Sequence, residues 1–215
     1  MTQMNSENFY NQGIEKAQQK DYQGAIEDFN QALRLDSNKI EVYKQRGAAY
    51  LALANHQRAL EDFNQTLKLN PNDAEIYDTR SMVYFALENT QAAIDDLNQS
   101  LQLNSNNVKA YKLRAILRLA TGETSGVLED FNQALRLAPD DAELYNSRGF
   151  IFLTQGNQHE ALEDFNQALQ LNPDYVDAYN NRGLLYCMTG NQQQALEDFN
   201  QALQIDPTYV KAYKN

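Results

Sequence analysis

Six acidic pairs are the residues here best equipped for chemistry: Glu27-Asp28, Glu61-Asp62, Asp95-Asp96, Glu129-Asp130, Glu163-Asp164 and Glu197-Asp198. Two neighbouring carboxylates suit general acid–base work when one unique, desolvated geometry separates their proton affinities. Six equivalent copies argue for a structural role instead. Other reactive side chains are sparse. His56 and His159 fall near expected turns, with no second ligand close in sequence and no spacing suited to zinc. Cys187 has no matching histidine in a catalytic motif and reads as a small groove or core residue. There is no glycine-rich phosphate loop and no Ser–His–Asp arrangement. The sequence therefore predicts no catalytic residue, no metal and no cofactor.

The spacing of the pairs points to the elements that carry them. Each pair begins 34 residues after the last, without an insertion. A second string keeps step: Tyr43 to Gly47, Tyr77 to Ser81, Tyr111 to Ala115, Tyr145 to Gly149 and Tyr179 to Gly183. The units are 6–39, 40–73, 74–107, 108–141, 142–175 and 176–209, in one domain over 1–215. Residues 210–215 begin a seventh unit or form a truncated cap, since Val210 to Lys214 repeats Val108 to Lys112. Within the fifth unit, Leu144, Tyr145, Arg148, Gly149 and Phe152 share one face of a first helix. Ala161, Leu162, Phe165, Ala168, Leu169 and Leu171 form the stripe of a second. Gly156 supplies the left-handed turn between them. Pro173 stops the second helix, as Pro71, Pro139 and Pro207 do elsewhere. Stacking such hairpins buries faces that one hairpin leaves bare.

The pattern resembles the tetratricopeptide repeat. In the sixth unit the matching positions are Tyr179, Gly183, Tyr186, Ala195, Phe199, Ala202 and Pro207. The resemblance implies an all-α, right-handed superhelical solenoid of antiparallel helix pairs. Departures concentrate mid-chain: Ser81, Leu97, Ser100 and Ser105 in the third unit, Ala115, Arg118 and Val127 in the fourth. Val127 beside Ser125-Gly126 is expected to spread its hairpin and make the middle the softest part.

Arg46, Arg80, Arg114, Arg148 and Arg182 recur in step with Asp62, Asp96, Asp130, Asp164 and Asp198, which predicts a ladder of partly buried ion pairs. The first unit has Gln12 in the arginine's place, so Asp28 is expected to find a partner elsewhere, for instance in the following unit. Asn30, Asn64, Asn98, Asn132, Asn166 and Asn200 read as an exposed polar face, in preference to a hydrogen-bonding column, because Asn and Gln are abundant throughout.

A net charge of -11 repels phosphate backbones, and no run of Lys and Arg offsets it, so nucleic acid is not an expected partner. Met1 to Asn11 lacks the apolar core of a signal peptide, and no stretch suits membrane insertion. With one cysteine no intrachain disulfide forms, which fits a cytoplasmic setting. The expected partner is a protein or peptide. By the family's register, first helices line a concave groove, placing Tyr10, Ile14 and Ala17 there, then Lys44, Ala48 and Leu51. Asp78, Met82 and Phe85 follow, then Lys112, Ile116 and Leu119. Asn146, Phe150 and Leu153 come next, then Asn180, Leu184 and Cys187, with Met188 close by.

The middle member of each triplet is apolar where many relatives carry Asn, so no carboxylate clamp for acidic chaperone tails is expected. An apolar stripe edged by Lys44, Asp78, Lys112 and Asn146 suits an amphipathic helix or an apolar peptide. Packing of these residues against their own neighbours is the competing reading. The resulting expectation is an interaction scaffold. Two rivals are a regulatory or targeting module of a larger enzyme or complex, and an intracellular receptor for a small apolar or peptide signal. Open apolar faces at Leu196, Leu203 and Tyr213 mean either a longer protein or end-to-end homo-oligomer stacking.

Overall fold

Each 34-residue unit folds as its punctuation dictates. The computed structural model describes residues 5–209, and the expected seventh-unit start at Val210 to Lys214, with Tyr213, lies outside them. Helices α1 (Ser6–Gln18) and α2 (Tyr22–Leu35) form the first pair, α3 (Ile40–Ala52) and α4 (His56–Leu69) the second, α5 (Ala74–Ala86) and α6 (Thr90–Leu103) the third. Then come α7 (Val108–Ala120) with α8 (Val127–Leu137), α9 (Ala142–Thr154) with α10 (Gln158–Leu171), and α11 (Val176–Met188) with α12 (Gln192–Ile205). The chain forms two compact units, residues 1–110 and 111–215, divided within α7.

Start and stop signals account for the helix ends. Side chains of Asp21, Asn55 and Asn89 accept backbone N–H groups at the starts of α2, α4 and α6, and Asp73 and Asp141 do so for α5 and α9. Helices α4, α8, α10 and α12 all stop two residues before a proline. Gly156 takes a φ of 80°, the left-handed turn expected between α9 and α10. In other hairpins Lys20, Ala54 and Glu88 adopt this conformation without being glycine.

The second helices carry the core. Ala25, Phe29, Ala32 and Leu33 of α2 are buried, as are Ala161, Phe165, Ala168 and Leu169 of α10. Close approach is set by size-matched pairs. A Cβ on Gly47 would stand 2.7 Å from Phe63, and one on Gly149 2.9 Å from Phe165. Where Ser81 replaces the glycine, Leu97 replaces the phenylalanine. The fourth hairpin has Ala115 and Phe131 together, both buried, and its second helix is shorter than the others, 11 residues in α8 against 14 in α10.

Candidate functional site

The second member of each acidic pair is buried and taken up by structure, while the first stays exposed. Arg46 on α3 donates from Nε and Nη2 to both carboxylate oxygens of Asp62 on α4, at 2.9 and 2.6 Å. The same fork joins Arg80 to Asp96, Arg114 to Asp130, Arg148 to Asp164 and Arg182 to Asp198. The expected ladder is therefore present. Each fork is bidentate and largely shielded from water, the strong form of this contact. Hydrogen bonding to Asp164 and Asp198 outweighs burial and pushes the Arg148 and Arg182 guanidinium groups up, so they stay protonated.

Further partners hold these arginines. The remaining nitrogen, Nη1, reaches back one hairpin: Arg46 to Asn30, Arg80 to Asn64, Arg148 to Asn132 and Arg182 to Asn166, the last three at 2.6 Å. Asn30, Asn64, Asn132 and Asn166 thus act as hydrogen-bond acceptors, and the reading of them as a plain polar face is corrected. Mid-helix Asn is retained there because it supplies a carbonyl oxygen to a fixed guanidinium. Aromatic rings flank the cation along its own helix: Tyr145 and Phe152 lie 5.7 and 5.8 Å from Arg148, and Tyr77 and Tyr84 lie 5.6 and 5.5 Å from Arg80. Sequence reasoning missed these rings, although their i−3 and i+4 spacing from each arginine was available. Asp28 pairs with Lys16 at 2.7 Å, inside its own hairpin; a partner from the following unit is not what the structure shows.

With the acids accounted for, the first helices hold the remaining candidates. In the first unit Tyr10, Ile14 and Ala17 line an open hollow with Ala48, and Leu51 is half-buried. Lys44 is tied to Asp73 at 3.1 Å. Asp78 accepts from Asn107, while Met82 and Phe85 stand exposed on the same helix. In the compact unit that begins at Tyr111, Ile116, Leu119 and Phe150 line one trough with Phe131, Asn146, Ser147, Ile151, Asp177 and Asn181. Lys112 is ion-paired with Glu143. Among the candidates, the large apolar side chains left 40% to 55% exposed are Met82 and Phe85 in one compact unit and Ile116, Leu119 and Phe150 in the other.

Three candidates are buried. Leu153 is buried against Ala161, Phe165 and Leu185, so packing claims it. Asn146 and Asn180 are buried, and Asn146 Oδ1 accepts from Asn181 at 3.0 Å. Leu184 is half-buried in the cluster around Phe199, whereas Cys187 and Met188 are exposed.

Sequence comparison matches the family described as tetratricopeptide repeat over residues 47–118, 112–168 and 176–209, and that described as TPR repeat over 13–53 and 151–190. The chain belongs to the tetratricopeptide repeat family. No curated protein matches it. Among solved structures, YrrB, "a TPR protein with an unusual peptide-binding site", is 22% identical, covers 86% of this chain and 96% of its own, and has a TM-score of 0.74. MamA is 21% identical over 80% of this chain and 94% of its own, at a TM-score of 0.73. PilF of Pseudomonas aeruginosa is 12% identical over 97% and 95%, at 0.74. At these identities the likeness is one of fold. Among the described residues no helix is long and apolar enough to cross a membrane.

Tetratricopeptide hairpins thus separate two tasks in this chain. The arginine clasp joins α3 to α4 and to the preceding α2, and its counterparts do the same farther along. The candidate side of the first helices has ties of its own, Lys44 to Asp73, Asp78 to Asn107 and Asn146 to Asn181, and between them Met82, Phe85, Ile116, Leu119 and Phe150 stay exposed.

Proposed function

We propose that this tetratricopeptide chain is a protein-interaction scaffold that docks a peptide or helix of a partner on the exposed face of its first helices. The observation that carries the reading is the recurrence of large apolar residues on that face, with Met82, Phe85, Ile116, Leu119 and Phe150 at matching register positions and exposed. Single exposed apolar residues are ordinary, but Met82 with Phe85 on one unit, and Ile116 and Leu119 with Phe150 on the other, are apolar groups repeated in register. YrrB, with its titled peptide-binding site, adds support by likeness of fold. A scaffold assembled from clasped hairpins presents this face already ordered, which lowers the cost of binding a flexible segment.

The test is partner capture with Phe85→Glu and Phe150→Glu, alone and together, with helicity followed by circular dichroism. The expected result is retained helicity and loss of the partner captured by the wild-type chain. Undiminished capture by the double variant would overturn the reading.

A further inference from the structure

The first and last described helices present opposite kinds of outer face. Stacked repeats need a polar face at each end, because a terminal apolar side has no neighbour to cover it. Helix α1 follows that rule: Asn8, Gln12 and Glu15 stand exposed at the places that α11 fills with Ala178, Arg182 and Leu185. Helix α12 does not. It repeats the sequence of α10 except at Gln193, Gln194 and Ile205, so it carries the whole apolar stripe of a helix that another helix covers.

What covers that stripe is visible inside the chain. Leu60 and Leu67 of α4 cluster with Ile76 and Val83 of α5. On α10, Leu169 clusters with Ala178 of α11, and Leu162 with Leu185. Arg182 Nη1 bonds to Asn166 between those two contacts. The same three places on α12 are Leu196, Asn200 and Leu203. Leu196 is 61% exposed, whereas Leu60 and Leu162 are half-buried, and Leu203 is half-buried where Leu67 and Leu169 are buried. The side chain of Asn200 has no hydrogen bond among the described residues.

Each covering helix carries one motif: an apolar residue, an arginine four places on, and a second apolar residue three places beyond. It reads Ile76, Arg80, Val83 in α5 and Ala178, Arg182, Leu185 in α11. The apolar members are buried in every first helix from α3 to α11, so among the described residues none is free to cover a second copy.

We propose that α12 is a separate docking surface, which takes a helix of another protein bearing this motif as α10 takes α11. The partner's arginine donates to Asn200, a charge-assisted bond, while its two apolar residues lie on Leu203 and Leu196. A second copy of this chain fits poorly, because its α1 would set Glu15 on Leu196 and Gln12 beside Asn200. The surface stands whether or not the first helices dock a partner.

The probe is a fluorescein-labelled, hydrocarbon-stapled peptide of the α11 sequence, Val176–Met188 with Cys187→Ser, titrated against the full chain by anisotropy. Saturable binding is expected. Leu196→Lys in the chain, at an exposed place, is expected to weaken it at least about tenfold. Asn200→Ala, which favours the helix, is expected to weaken it about fivefold. A probe remade in the image of α1, with Ala178→Asn, Arg182→Gln and Leu185→Glu, is expected to bind at least about tenfold more weakly. Circular dichroism checks that both chain variants keep their helicity. No binding of the α11 probe, equal binding of the remade probe, or indifference to either chain variant overturns the proposal. A wild-type dimer by light scattering that Leu196→Lys dissolves assigns the face to a second copy. Binding that appears only after residues 210–215 are deleted assigns it to the chain's own end. Either result overturns the partner helix.

Discussion

The fourth and fifth hairpins use the same register to reach the same ion pair by different means. In the fifth, Arg148 grips Asp164 between the rings of Tyr145 and Phe152, and a glycine lets Phe165 in close. In the fourth, Arg118 stands where Phe152 would be, and it donates to Asp130 Oδ2 at 2.8 Å beside Arg114. Room for that second guanidinium comes partly from Gly126, where a Cβ would lie 2.7 Å from Arg118 Nη1. The first hairpin is the complement. It lacks the arginine but has Lys16 at the place of Arg118, and Lys16 reaches Asp28 across the same twelve-residue separation. The lesson is that the buried aspartate is the fixed element of the repeat, and its cation can come from either of two successive turns of the first helix.

Removing the aspartate breaks the comparison most severely. Asp164→Ala strands one shielded guanidinium and is expected to cost about 3–5 kcal/mol in denaturant unfolding. Asp130→Ala removes the carboxylate that Arg114 and Arg118 share and leaves Arg118 only the exposed Glu123 at 3.5 Å, so its cost is expected to exceed that of Asp164→Ala. An equal or smaller loss would mean that Arg118 contributes no charge pairing.

The glycine place comes next. Gly149→Ala forces a methyl against Phe165 and is expected to cost about 1–3 kcal/mol. Ala115→Gly, the reverse change in the fourth hairpin, is expected to cost only the helix-propensity difference, about 1 kcal/mol. Thermal melts of both variants check whether the fourth hairpin has already adjusted to its alanine.

Turn glycines give a finer distinction. Gly126 and Gly156 have φ of 82° and 80°, so alanine at either is expected to cost about 1–2 kcal/mol. Gly126→Ala also displaces Arg118, whereas nothing lies near Gly156. Gly126→Ala is therefore expected to be the costlier of the two, and the excess to vanish in an Arg118→Ala background, as a double-mutant cycle would show.

The smallest expected effect is alkaline. The fifth hairpin ends on Tyr175, where the fourth ends on Asp141. Burial, then the nearby Glu143 and Asp177 charges, pushes the Tyr175 hydroxyl up to about 12. A folded-state pKa above the ordinary 10 means that its contribution is intact below pH 10 and is lost as pH rises through about 12. Unfolding measured across that window is expected to lose less stability in Tyr175→Phe than in the wild-type chain.

Much of the scaffold was legible because it repeats. Register located the hairpins, prolines marked where second helices stop, and the paired recurrence of Arg and Asp announced the ladder. The asparagine contacts were hidden because Asn30 and Asn64 bond to arginines one hairpin later, a contact that looks in sequence like general polarity. The partner of Asp28 is hard to see in the sequence because Gln12 stands in the arginine's place, although Lys16 lies one turn farther along the same helix face. The candidate face was legible only in part. Phe85, Leu119 and Leu153 hold one register position, yet Leu153 packs inward while the other two stay exposed. Periodicity assigns a face of a helix, and what packs across that face is set by neighbours the period does not specify.

Docking on the first helices distinguishes side chains of comparable exposure. Phe150 on α9 and Leu171 at the end of α10 are both exposed, at 41% and 36%. Measuring the affinity of the captured partner for Phe150→Glu beside Leu171→Glu separates the two helices with comparable changes. Loss with Phe150→Glu and near wild-type affinity with Leu171→Glu is the expected result. Loss with Leu171→Glu while Phe150→Glu binds normally would contradict the account.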